Sequence, residues 1–315
     1  MNIKKVGLTA LAASLVSVSA YAGEMSVSGG ASIGLKNTSK SSSGKSWTMG
    51  NELDFAGSGE LDNGMTVSLA FTLDQADDST TGITKAPFDS HSVTVSSDAM
   101  GTLKFSGEGG SSAQSSIDTT AAGDLWDNGS GFTTPLSAEA GDNSIMYTLP
   151  SFVDDVSVKA SYSPGGAGGA SATSFGLGYT GVDGLTLDYA VGDTETVGSM
   201  TEHTTMKGSY AISSFTLSYS NTDSDVEASS STKDEEVTSY NIAYTISDDL
   251  SVAYGTETID TEGTNTDEEG EKYNVSYTTG GVTLSATQYN FEGSGNTAGV
   301  GGEKERWALS ATFAF

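Results

Sequence analysis

The sequence predicts an all-β fold: sixteen antiparallel strands closed into a transmembrane barrel, behind a cleaved leader. Three observations predict it. Apolar side chains recur at every second position through most of the chain, the period of a strand with one apolar and one polar face. The connections fall into two classes that alternate, short polar turns and long stretches rich in Ser, Thr, Gly and acids. The chain also ends on an alternating strand, Trp307, Leu309, Ala311, Phe313 and Phe315, where chain ends are ordinarily frayed and polar.

The leader comes first. Lys4 and Lys5 precede an apolar run from Val6 to Val18, followed by Ala20-Tyr21-Ala22. A basic start, a short apolar run and a small-x-small site make a secretory signal peptide. Cleavage after Ala22 leaves residues 23–315 as one barrel domain. No later stretch approaches the roughly 20 apolar residues of a membrane helix, and mean hydropathy is −0.22. Strands apolar on one face only escape that test. With no cysteine, disulfides and thiolate metal sites are excluded. Loss of Lys4 and Lys5 takes the net charge from −28 to −30, which argues against nucleic acid and against charge-driven docking on anionic lipid.

The strands then follow in order. The first sets Met25, Val27, Gly29, Ala31, Ile33 and Leu35 on one face, and the second Leu53 and Phe55. The third alternates Met65, Val67, Leu69, Phe71 and Leu73 against Thr66, Ser68, Ala70 and Thr72. The fifth, Thr102–Glu108, leads into the longest connection. Alternation resumes at Val156, Val158 and Tyr162, at Phe175, Leu177 and Tyr179, and at Leu185, Leu187 and Tyr189. It continues through Tyr240, Ile242 and Tyr244, Leu250, Val252 and Tyr254, and Val282, Leu284 and Ala286.

Short turns lie at 61–64, 97–101, 181–184, 247–249 and 280–281. Asn63-Gly64 and Gly280-Gly281 suit tight hairpins because they tolerate positive φ. The long stretches are 36–46, 74–89, 109–141, 163–171, 193–203, 221–236, 260–271 and 293–303. About sixteen strands fit between them, each near the roughly 9–11 residues that cross a bilayer at a tilt. An even count puts both chain ends on the short-turn side, and the last strand must pair with the first to remove the free edge. A soluble β-sandwich shares the alternation but explains neither the two loop classes nor the Phe end. A solenoid would show a fixed repeat, and none is found.

The period-two strands, the long connection 109–141 and the terminal Phe315 resemble general diffusion porins of Gram-negative bacteria, in particular the Rhodobacter-type alphaproteobacterial porins. The resemblance covers the whole chain after the leader, in plan. It implies an outer-membrane channel for passive diffusion of small hydrophilic solutes, with no enzyme activity and no cofactor. It implies a homotrimer set in outer-membrane lipid and lipopolysaccharide. It also implies that the 109–141 loop folds inward to narrow the pore, and that Phe315 is the signal read by the barrel-assembly machinery.

The 109–141 loop carries Leu125, Trp126, Phe132 and Leu136, which a solvated loop has no use for and which can anchor it to the inner wall. Its candidate constriction residues are Asp118, Asp124, Trp126, Asp127 and Glu139, with Asp142 at the exit. Strand parity aims Glu52, Asp54, Lys104, Glu108, Lys159 and Lys207 at the lumen, with Arg306 and Lys272 inward near strand ends; parity fails only across a bulge. Family members commonly set a cluster of arginines and lysines opposite the acidic loop. This chain has one arginine and offers Glu52 and Asp54 instead, so the expected lumen is acidic and cation-preferring.

Two histidines, His91 and His203, lack partners at metal-ligand spacing and fall near loop–strand boundaries, where solvation is expected. No GxSxG elbow supports a hydrolase. The acidic runs 223–227 and 267–271 do not match an EF-hand and read as a solvated rim, with weak Ca2+ or Mg2+ binding left open. A non-conducting adhesive barrel and a substrate-specific channel stay open beside the diffusion channel. No tyrosine falls between Tyr21 and Tyr147, while Phe55, Phe71 and Phe105 remain there; later strands supply Tyr162, Tyr179, Tyr210, Tyr219, Tyr254, Tyr289 and others. Lipid-facing strands carry aromatic girdles, so strands one to five are expected to meet neighbouring copies.

Overall fold

The computed structural model describes residues 23–38, 44–74, 89–128, 131–138, 142–165, 169–227, 233–299 and 302–315. The leader, residues 1–22, and Glu139 lie outside them. The sixteen strands are β1 (Met25–Thr38), β2 (Lys45–Glu60), β3 (Thr66–Asp74), β4 (Ser90–Ser97), β5 (Gly101–Glu108), β6 (Ser144–Thr148), β7 (Val156–Ser163) and β8 (Ser171–Val182). Then come β9 (Leu185–Thr196), β10 (Ser199–Ile212), β11 (Phe215–Glu227), β12 (Glu235–Ser247), β13 (Leu250–Thr261), β14 (Glu268–Thr279), β15 (Val282–Glu292) and β16 (Lys304–Ala314). Each pairs antiparallel with its sequence neighbours, and β1 pairs with β16 to close the barrel.

The seam runs from Gly30 opposite Ala314 to Thr38 opposite Arg306. Phe315 extends it by exchanging backbone hydrogen bonds with Gly29, at 2.9 and 3.1 Å. A Cβ on Gly29 would stand 2.8 Å from Leu53 Cδ2 and 3.0 Å from the Phe315 ring, so only glycine fits beside the terminal aromatic. β16 alternates like the other strands and is one half of the closure.

Alternation holds on the outer face, where apolar side chains stay exposed as a lipid-facing surface requires. Cross-strand aromatic pairs meet there: Phe55 stacks on Phe71 at 4.8 Å, and tilted pairs join Phe215 with Tyr244 at 4.6 Å, Tyr219 with Tyr240 at 5.1 Å and Tyr254 with Tyr273 at 4.9 Å. Trp47, opposite Leu35, adds an exposed aromatic to β2 that the tyrosine gap does not register. Tyr289 departs from the expected girdle. It is buried, stacks on Phe291, and lies 5.6 Å from the Arg306 guanidinium. The register puts it on the inner face, since Ser285, four residues back, bonds Ser310 there.

Several boundaries differ from the sequence reading: β11 runs on to Glu227 and β14 begins at Glu268, inside stretches read as loops. The stretch 193–203 is no loop: β9 runs to Thr196, β10 starts at Ser199, and the turn is Val197-Gly198 with Gly198 at φ 86°. Several strands of 12–16 residues outlast the membrane-crossing length, and beyond the bilayer both faces are polar, so the contrast that marks a strand disappears. A bulge also shifts the β4–β5 register, so that Ser92 faces Ser106 but His91 faces Glu108.

Candidate functional site

The one apolar core among the described residues lies inside the barrel, where a loop meets the wall. Ala122, Leu125 and Phe132 come from the 109–143 connection; Val237, Ile259, Tyr289 and Phe291 come from the wall, with Trp126 packed alongside. Leu125 is 0% exposed. Ordering a loop costs roughly 1–2 kcal/mol per residue, and this cluster plus a run of hydrogen bonds offsets that cost.

The loop follows a single transverse row of the barrel. Lys207, Ser220, Ser239, Glu257, Gly270, Phe291 and Lys304 are successive register partners from β10 to β16. Along this row the Ala121 N–H donates to Ser220 Oγ at 2.8 Å, and the Ala122 N–H to Ser239 Oγ at 2.9 Å. The Leu125 and Trp126 N–H groups both reach the Glu257 carboxylate at 3.2 Å, and the Thr120 hydroxyl donates to it at 2.6 Å. At Gly270 a Cβ would stand 3.2 Å from Leu125 Cδ1 and 3.4 Å from the Phe132 ring. Phe132 then meets Phe291 edge-on at 5.2 Å.

Earlier in the loop, the Ala113 N–H donates to Ser161 Oγ at 2.9 Å and Gln114 Nε2 to Thr205 Oγ1 at 2.8 Å. The returning limb is held by Glu268, which accepts from the Thr133 N–H at 2.7 Å, and by Glu235, which accepts from Leu136 at 2.9 Å. Gln114 Oε1 accepts from Ala138 at 2.8 Å and ties the two limbs together. Leu136 itself is only half-buried.

The wall's cations meet the loop's carbonyls. Lys207 donates to Thr119 O, Lys272 to Ala122 O and Arg306 to Asn128 O, while Lys159 reaches Ser116 Oγ at 3.5 Å. Lys304 sits under Gly131. Lys104 faces inward on β5, opposite Thr94 and Met146, away from these contacts. Across the lumen, β2 and β3 set Glu52 opposite Asp74, and Asp54 accepts from the Thr72 hydroxyl at 2.6 Å. Glu108 is a correction to the inward reading. The bulge pairs it with His91 at 3.9 Å, on the face that carries Phe71 and Val93.

On the loop, Asp118 and Asp124 line a cavity of about 320 Å³ between the two limbs, beside Trp126 and the wall residues Thr222 and Val237. Asp124 adopts φ 48° and accepts from the Thr120 N–H at 2.9 Å. Burial, then the charge of Asp124, pushes the Asp118 carboxyl up to about 7, against the opposing pull of Lys207. Asp127 and Asp142 are exposed.

Several functional residues escaped the sequence reading. Glu235, Glu257 and Glu268 are buried, although Glu268 belongs to a run read as solvated rim. His203 is buried as well, with Nδ1 2.9 Å from Ser224 Oγ. The available signal was the concentration of Ser and Gly at inward positions of β7–β14, small residues that let a second backbone approach.

Comparisons with known proteins agree with this geometry. Residues 7–278 match the family described as Gram-negative porin. No curated protein sequence matches. Among solved structures, OmpT of Vibrio cholerae, expressed in the outer membrane, is 14% identical with a TM-score of 0.70, covering 95% of this chain and 99% of that one. Another OmpT structure is described as a trimer form. A multiply substituted porin of Rh. blastica is 14% identical at a TM-score of 0.69, over 93% of this chain and all of that one. An anion-selective porin from Comamonas acidovorans is 15% identical at a TM-score of 0.64, over 93% of this chain and 99% of that one. At these identities the likeness is one of fold. The family match spans most of the sequence, and the barrel with its docked inner loop is in keeping with it: the chain belongs to the Gram-negative porin family.

Proposed function

We propose that this porin is a water-filled outer-membrane channel through which small hydrophilic solutes and ions diffuse passively, with a preference for cations. It catalyses no reaction and needs no cofactor. Its leader is removed after Ala22 on export, and Phe315 is presented to the barrel-assembly machinery. The observation that carries the preference is where the cations are spent. Lys159, Lys207, Lys272 and Arg306 bond the inner loop, Lys272 and Arg306 in part-buried contacts and Lys159 and Lys207 in exposed ones. Glu52, Asp54 and Asp74 line the opposite wall, and Asp127 is exposed on the loop. Carboxylates along a pore lower the barrier for positive charge. The anion-selective relative means that family membership does not set the sign, and this chain's own charges must.

The channel is proposed to work as a homotrimer packed through β1–β5, in a bilayer of phospholipid and lipopolysaccharide. The trimer form described for OmpT supports the stoichiometry, and the small outward residues Gly29, Ala31 and Gly57 support the face, since they admit a close neighbour. The test of the function is the purified protein in a planar bilayer under a gradient of potassium chloride. Discrete channels with a cation-selective reversal potential at low salt are expected, weakening at high salt as screening shortens to a few Å. No channels would refute the conducting reading, and an anion-selective potential would refute the preference.

A further inference from the structure

We infer that Glu257, which lies in the barrel wall and outside the constriction loop, is the residue that positions the loop's apex and so sets the aperture. The inference rests on the channel reading above. The apex is the 3-10 turn Leu125–Asp127, whose N-cap residue Asp124 makes no side-chain cap. The first N–H groups of any helical turn lack partners within it. Here β13 supplies the cap from across the lumen: Glu257 takes the N–H of Leu125 on one oxygen and that of Trp126 on the other.

The same carboxylate fixes the approach to the turn. Thr120 donates its hydroxyl to Glu257, and that hydroxyl oxygen accepts from the Asp124 N–H at 2.7 Å. One side chain therefore places Thr120, Asp124, Leu125 and Trp126 together. Its neighbours in the row, Ser220 and Ser239, each hold one N–H. Glu257 is 1% exposed, and a carboxylate out of water is costly unless hydrogen-bonded. Those bonds come from the loop. With the loop withdrawn, Glu257 would face the aqueous lumen with its partners gone, so docking and the burial of this charge stand or fall together.

The experiment uses Trp126 as reporter. The chain's tryptophans are Trp47, Trp126 and Trp307, and the register places Trp47 and Trp307 on the outer face. In a W47F/W307F background, E257A and E257Q are purified as heat-modifiable barrels and compared with their parent. Acrylamide quenching of Trp126 and single-channel conductance are then measured. E257A is expected to gain both quenching and conductance, with excess open-channel noise. E257Q keeps the volume but turns an amide group toward one set of donors, so an intermediate gain is expected; a space-filling role would leave it at the parental level. Folded variants with parental quenching overturn the inference, whatever the conductance. If the parent forms no channel while quenching still rises in E257A, the positioning of Trp126 stands and the channel reading fails. If neither variant folds, Glu257 serves the barrel and the positioning role is overturned.

Discussion

Asp118 offers a charge that can be switched near neutral pH without touching the barrel. Its carboxyl titrates at about 7 because it is crowded by the loop and by Asp124, with Lys207 as the opposing charge. It is then about one-tenth ionised at pH 6 and about nine-tenths at pH 8, whereas an ordinary carboxylate is ionised throughout that window. Raising the pH from 6 to 8 therefore adds most of one negative charge to the constriction, and cation preference should strengthen. Docking responds in the opposite sense. A carboxyl raised above its ordinary 3.8 favours the docked loop fully below about pH 4 and loses that contribution as pH rises to about 7. Open-channel noise should therefore increase over the upper part of that range. The assay is the reversal potential and noise of wild type and D118N from pH 5 to 8. Every other titratable group is common to both proteins, so the difference between them isolates Asp118. D118N is expected to lack the step; parallel curves for the two proteins would refute the reasoning.

Leu125→Ala removes a fully buried side chain from the loop–wall cluster and should cost about 2–5 kcal/mol. The loss falls on docking rather than on the strand ladder. Noisier, larger conductance is expected in a barrel whose heat-modifiability is unchanged, and wild-type traces from folded L125A would count against the anchor. For the assembly, a cysteine at Ala31 or Leu69 should give intersubunit crosslinks in mild detergent, and one at Tyr219 or Tyr254 should not. A monomeric mass in detergent that preserves the barrel, or crosslinking through Tyr219 alone, would move the interface elsewhere.

The strands were legible because membrane and lumen impose opposite demands on alternate residues, and the demand repeats at every position between the two interfaces. It lapses where the strand leaves the bilayer. Residues 193–203 form a two-residue hairpin, yet Asp193, Glu195 and Glu202 give them the composition of a loop. Parity fails at Glu108 for a different reason. One unpaired residue at Gly107 reverses the face, and no property of the residue itself announces the bulge. The inward loop was legible through Leu125, Trp126 and Phe132, which have no use in solvent. Its seat was not, because contacts such as Thr120 with Glu257 join positions more than a hundred residues apart.

That seat changes how the composition bears on the lumen. The sequence shows few basic residues, and parity aims several of them inward, which by itself suggests a field across the pore. The structure gives most of them a local partner. Loop carbonyls left outside any regular ladder need donors, and Lys207, Lys272 and Arg306 supply them from the wall. The loop's N–H groups need acceptors, and Glu235, Glu257 and Glu268 supply those. Charge of both signs is thus drawn to the loop to satisfy backbone, and the charge left off the loop is the remainder. With Glu52, Asp54 and Asp74 on the far wall and, among the described residues, Lys104 and Lys36 inward without a described loop contact, that remainder is acidic. Neutralising Lys272 should then disturb docking before it alters the field, raising Trp126 quenching in K272M. Neutralising Glu52 should lower cation preference with Trp126 unmoved. If K272M shifts the reversal potential while quenching stays at the wild-type value, Lys272 belongs to the pore lining and the division of charge between loop seat and lumen is wrong.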